Sequence, residues 1–161
     1  MTRRSHLTIA ILAAASIYGA DARAATQTSD VAGIWMTDDG DGAVEIRACG
    51  AELCGHIYAI LRLPHPERPA LDNNNANVAL RGRTLCGMPM MGGLRPAGPG
   101  QWSGGWIYDP KAGKTYGLDI TQQGGQLSVH GTLPGTFLGR TVTWSRPAVP
   151  TRKCVPPRPQ R

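Results

Sequence analysis

Between Trp102 and Tyr116 the chain reads WSGGWIYDPKAGKTY, two aromatic-rich runs joined by Asp109-Pro110-Lys111-Ala112-Gly113. Few folds other than a β-hairpin accommodate such a stretch. Pro110 suits the first corner of a turn, because its fixed φ is already the one required, and Gly113 can take the positive φ that closes it. Trp102, Gly104, Trp106 and Tyr108 recur every second residue, so one strand face is expected to carry all four. The segment also contains Gly113-Lys114-Thr115, which imitates the end of the phosphate-loop pattern G-x-x-x-x-G-K-S/T. The position that needs the first glycine holds Tyr108, and KTYGLDIT continues as a strand where that loop requires a helix N-terminus. Nucleotide binding is excluded on both counts.

The two-residue period extends well beyond this hairpin. Ala43 to Arg47, Lys114 to Thr121, Gln126 to His130 and Arg140 to Trp144 each alternate apolar with polar residues. With Gly33 to Thr37, Cys54 to Leu61, Thr84 to Met91 and Gln101 to Tyr108, eight strands are expected. Asp38 to Gly42, Asp109 to Gly113 and Gln122 to Gly125 are short, turn-rich connections. Twenty-one glycines and a single phenylalanine also argue against a helical protein. Eight successive strands with one apolar face hide that face and remove unpaired edges by rolling into an antiparallel up-and-down barrel. A two-sheet sandwich is the alternative the same alternation permits. Arg62 to Arg83 breaks the meander with Pro64, Pro66, Pro69 and the run LDNNNANVALRGR. A connection this long in a compact domain is where a lid or binding loop is expected, and its plain alternative is an exposed insert with a helical turn near Asn77 to Arg81.

The N-terminus carries an address. Arg3 and Arg4 precede an apolar run from Leu7 through Ala20, followed by Ala22-Arg23-Ala24, an A-x-A cleavage site. A secretory leader over residues 1–24 is expected, leaving one domain from Ala25 to about Arg146 and a basic, proline-rich tail over 147–161. The apolar run is short for a membrane span and no later segment is longer, so stable membrane insertion is not expected. His6 stands where a twin-arginine signal has a bulky apolar residue, which favours ordinary secretion to the periplasm or medium. Cleavage removes Arg3, Arg4 and Arg23 but only Asp21, so 17 basic and 11 acidic residues become 14 and 10. This mild charge, with no basic stripe interleaved with aromatics, excludes nucleic acid as a partner class. The tail reads as a solvated end.

Cys49, Cys54, Cys86 and Cys154 all lie in the exported part, where an even count reads first as two disulfides with three possible connectivities. Cys49 and Cys54 flank a Gly-Ala-Glu-Leu turn between strand-like runs, which brings Cα atoms within bridging range and leaves Cys86 for Cys154. A metal site would need more ligands at suitable spacing than the lone CxxxxC pair and His56 provide, and no metal or other cofactor is expected.

Gly33-Ile34-Trp35, Cys49-Gly50 through Cys54-Gly55, Asp72-x-x-Asn75, Leu80-Arg81-x-Arg83-x-Leu85-x-Gly87, the WSGGWIYDPKAGKTY hairpin and Gly139-Arg140-Thr141-Val142-Thr143-Trp144 occur in this order. Together they resemble an exported bacterial family, domain-of-unknown-function family 2147 (DUF2147). The resemblance covers the chain to about Arg146 and implies a calycin or lipocalin-like β-barrel. It departs from the family pattern at Thr84 and Ala76, where proline is usual, and in GTLPGTFLG, where cysteines are frequent. Gly33-x-Trp35 also looks like the opening of lipocalins, in which a tryptophan plugs the barrel floor and an arginine of the last strand lies across it. The resemblance implies Arg140, on the face shared with Val142 and Trp144, for that arginine. An anion-binding role is its alternative.

Two candidate sites emerge. Trp106, Tyr108 and Tyr116 meet near the hairpin turn and would form an aromatic pocket wall, or else belong to a packed core. Asp72, Asn75, Arg81 and Arg83 form a polar constellation able to take a ligand carboxylate or phosphate, or to tie the long loop to the barrel. No serine, histidine or carboxylate sits in a recognisable triad or paired-acid setting, so a binding protein for a small, apolar or amphipathic molecule is expected rather than an enzyme. A packed barrel acting through its loop or tail is the second reading. The oligomeric state is left open.

Overall fold

The computed structural model describes residues 30–63 and 68–155. The expected leader and the segments 64–67 and 156–161 lie outside the described residues. Eight antiparallel strands, β1 (Gly33–Met36), β2 (Gly42–Cys49), β3 (Glu52–Ile60), β4 (Pro89–Gly98), β5 (Gln101–Asp109), β6 (Lys114–Gln123), β7 (Gln126–Thr132) and β8 (Gly139–Ser145), form a closed barrel in sequence order. Closure is uneven: β1 lies along β2 over its whole length but meets β8 only at Met36 opposite Ser145.

Two strands depart from simple alternation. The expected Thr84 to Met91 strand begins later, at Pro89, and continues to Gly98. Leu85 to Met88 instead form a turn with Gly87 at φ 75°, in which the Met88 amide donates to the Leu85 carbonyl. Pro96 remains in the ladder opposite Trp102, with a register shift just beyond it, as expected for proline at a bulge. In β5 the pairing with β6 slips between Trp102 and Gly105. Gly104 there has φ 72° and its amide donates to the Asp119 carboxylate. The bulge reverses the facing of the residues beyond it: Trp102 is buried in the core, whereas Trp106 is outside and 40% exposed, its indole lying over Gly92.

The core fills one end of the barrel. Trp35, Ile46, Leu53, Leu94, Trp102, Ile120 and Leu127 are all buried there. A smaller cluster, Ile57, Met88 and Tyr108 with Leu85 against it, fills the gap left between β3 and β5 because β4 starts only at Pro89. Met88 and Gly87 join the ladder through Ile57, which gives and receives a backbone hydrogen bond. The described part of the long connection is thus a patch of barrel wall, with its one helical turn a 3-10 segment at Val78–Leu80. Both expected disulfides are present, Cys49–Cys54 across the β2–β3 turn and Cys86–Cys154 from this patch to the tail. The tail is less free than a solvated end: the Cys154 amide donates to the Tyr58 carbonyl, and Lys153 lies near the Tyr58 ring and Glu45.

Candidate functional site

The packed end is sealed by Trp35. Its ring is fully buried, and its indole N–H donates to the Val31 carbonyl at 2.8 Å. The guanidinium over it belongs to Arg146, 3.8 Å from the ring centroid, and not to Arg140, which corrects the expectation. Arg140 does face inward, but at the opposite end, where it is exposed and 3.8 Å from Asp38. Arg146 donates to the carbonyls of Asp30, Ala32 and Ile34 at 2.7, 2.9 and 3.2 Å. Gly33 leaves the room for this: at φ 113°, a Cβ would stand 2.8 Å from the guanidinium. A planar cation stacked on indole and forked onto backbone carbonyls is a stable way to hold a partly buried charge.

Above the ring of Val44, Val129 and Trp144 the interior is open. A cavity of about 870 Å³ rises from it to the other end, walled by Ile57, Ala59, Met90, Ile107, Tyr116 and Val142. Small-molecule sites occupy roughly 300 to 1,000 Å³ and are mainly apolar with a few placed polar groups. The polar groups here sit at the mouth: Asp38, Asp39, Asp41, Arg62, Asp109, Lys111 and Arg140. Tyr108 and Tyr116 line the cavity, and Trp106, on the outer face, does not. Ile107 takes the place alternation gave to Trp106, opposite Tyr116.

The Asp72 constellation proves to be internal. Asp72 is fully buried and accepts from the Tyr108 hydroxyl at 2.6 Å, from the Asn75 amide at 2.7 Å and from Arg83 Nε at 2.8 Å. Burial would raise its pKa, but these hydrogen bonds and the Arg83 charge outweigh burial and hold the carboxyl below its usual range. Tyr108 moves the opposite way, raised by burial and by the neighbouring carboxylate. Arg81 donates to the Asn75 carbonyl. Asp72, Asn75 and Arg83 therefore anchor the wall patch to β5 through Tyr108, while Arg81 ties the patch to itself, the arrangement of the loop-tying alternative. The patch also braces the β5–β6 turn. Asn74 donates to the Lys111 carbonyl at 2.9 Å, and its own carbonyl lies so close to Gly113 that a Cβ there would stand 1.8 Å from it. Gly113 thus serves close packing, beside its turn φ of 66°.

Sequence reasoning passes over the mouth itself. The Lys111 ammonium is held by Asp39 at 2.6 Å and Asp41 at 2.5 Å. Asp39 is oriented by Thr37 and by the Asp41 amide, both bound to its other oxygen, Oδ1. Burial opposes its ionisation, but Lys111 and these donors win and lower its pKa to about 2, while the two carboxylates raise that of Lys111. The DDGDG segment announces a turn, and its density of carboxylates is the signal that pointed further. The described histidines stand elsewhere: His56 contacts Arg47, with its pKa lowered by burial and that cation, and His130 contacts Thr141.

A closed eight-stranded antiparallel barrel, plugged at one end and opening at the other from an apolar interior through a charged mouth, is a lipocalin-like fold. A solved Helicobacter pylori protein described as belonging to the lipocalin family has the same fold, with a TM-score of 0.63 and 22% identity over 73% of this chain and 83% of that one. Residues 33–146 match the bacterial family described as "Uncharacterized protein conserved in bacteria (DUF2147)", and the chain belongs to that family. No curated protein matches it.

Proposed function

We propose that this protein is an exported carrier that binds a small, largely apolar molecule in the barrel, with any polar end of the ligand at the mouth. The observation that carries the reading is the 870 Å³ apolar cavity above a sealed floor. Two disulfides suit an oxidising compartment and support export. Binding rather than catalysis is favoured because neither His56 nor His130 lines the cavity, and its carboxylates lie at the rim, paired with cations or holding the turn. The test is native mass spectrometry of the protein isolated from its export compartment, before and after denaturation. The expected result is a stoichiometric small-molecule adduct lost on denaturation. A bare polypeptide mass, with no thermal stabilisation by a panel of lipids and aromatic amphiphiles, would overturn the reading.

A further inference from the structure

The ring order places two hairpins on opposite sides of the mouth. The β1–β2 turn carries Asp39 and Asp41, the β5–β6 turn carries Lys111, and β3 with β4 on one side and β7 with β8 on the other separate them. Any contact between these turns must cross the opening. Lys111 makes that contact, reaching both carboxylates, and all three residues line the cavity.

Both supports of this strap are held by hydrogen bonds. On the Lys111 side, the turn backbone is fixed: Asp109 Oδ1 accepts from the Lys111 and Ala112 amides, Asn74 holds the Lys111 carbonyl, and Gly113 is packed against Asn74. On the other side, Thr37 and the Asp41 amide fix Asp39. The part left free to move is the Lys111 side chain, a compact charge on a flexible stem. Its neighbours reinforce the ring of charge, with Arg62 3.4 Å from Asp41 and Arg140 3.8 Å from Asp38.

We infer that Lys111, Asp39 and Asp41 form a gate across the cavity, an ionic latch whose release admits and discharges the ligand. This rests on the carrier reading and adds its regulation. Because the latch obstructs passage in both directions, it governs the rate of exchange more than the affinity. Lys111 is 64% and Asp39 42% exposed, so the latch is accessible to salt.

Stopped-flow fluorescence with N-phenyl-1-naphthylamine, an uncharged apolar probe, tests this on the full mature chain. Lys111→Met keeps the stem and removes the charge; Lys111→Arg keeps the charge; Asp39→Asn weakens the latch from the other side and serves if Lys111→Met folds poorly. Lys111→Met should release the probe up to about fivefold faster, the upper range of a surface ion pair, with uptake accelerated as well. Raising ionic strength should speed release from the unaltered protein and from Lys111→Arg, but not from Lys111→Met. Equal release rates in all variants, or a salt response that survives in Lys111→Met, would overturn the gate while leaving the carrier reading intact. Failure of every variant and of the unaltered protein to bind the probe would instead remove the carrier reading, and the gate with it.

Discussion

Each end of the barrel is crossed by one cation, and the two are held in different ways. At the floor Arg146 lies flat on a buried tryptophan and spends its donors on three backbone carbonyls. At the mouth Lys111 spans open space to two carboxylates that water also reaches. A guanidinium fork suited to fixed acceptors makes a permanent seal, whereas a flexible ammonium makes a detachable one. On the proposed reading, the contrast would let one small barrel be closed at one pole and open to exchange at the other.

Breaking the floor should cost most. Trp35→Ala removes a fully buried indole and should lower stability by about 3 to 5 kcal/mol, seen as a marked drop in melting temperature. Arg146→Lys keeps the charge but loses the fork; leaving carbonyls unsatisfied should cost about 1 to 3 kcal/mol by urea denaturation. The wall patch ranks next: Tyr108→Phe deprives Asp72 and Asn75 of the hydroxyl and should cost about 1 to 2 kcal/mol. Acid sharpens that point. The Asp72 pKa is depressed in the folded protein, so its contribution is present above the unfolded value of about 4 and is lost as pH falls through the folded value. Melting temperatures measured from pH 6 down to pH 2 should therefore fall less steeply for Asp72→Asn than for the unaltered chain. At the mouth, Lys111→Met should change stability least, by under about 1 kcal/mol in the same urea assay. A loss there as large as that of Arg146→Lys would erase the distinction between the ends.

The strands were legible because alternation is local, and so was the closed barrel, since eight hairpin-linked strands have few ways to hide one face. The features that escaped were set by bulges and by distance. Gly104 reads as one more small residue in an alternating run, yet its positive φ turns Trp106 outward and puts Ile107 in the wall. Arg140 and Arg146 share the inward period of β8, and periodicity cannot choose between them. Topology could have done so. In an antiparallel ring of eight strands the start of β1 meets the end of β8, which places Arg146 beside Trp35. Asp72 and Arg83 could be read as a ligand site or as a loop anchor, because spacing shows that two groups can converge, but not on what. Tyr108, 36 residues from Asp72, supplies the answer. Lys111 and Asp39, 72 residues apart, meet only once the barrel has closed.

The slender contact between β1 and β8 gives Arg146 a second importance. A sheet of eight strands joined to itself at one residue pair is a strip held by a buckle, and the guanidinium is that buckle, gripping the chain on both sides of Gly33. Were it released, two unpaired strand edges would face the surroundings, and exposed edges recruit other chains. The damage would then register as self-association, growing with protein concentration, before the barrel as a whole came apart.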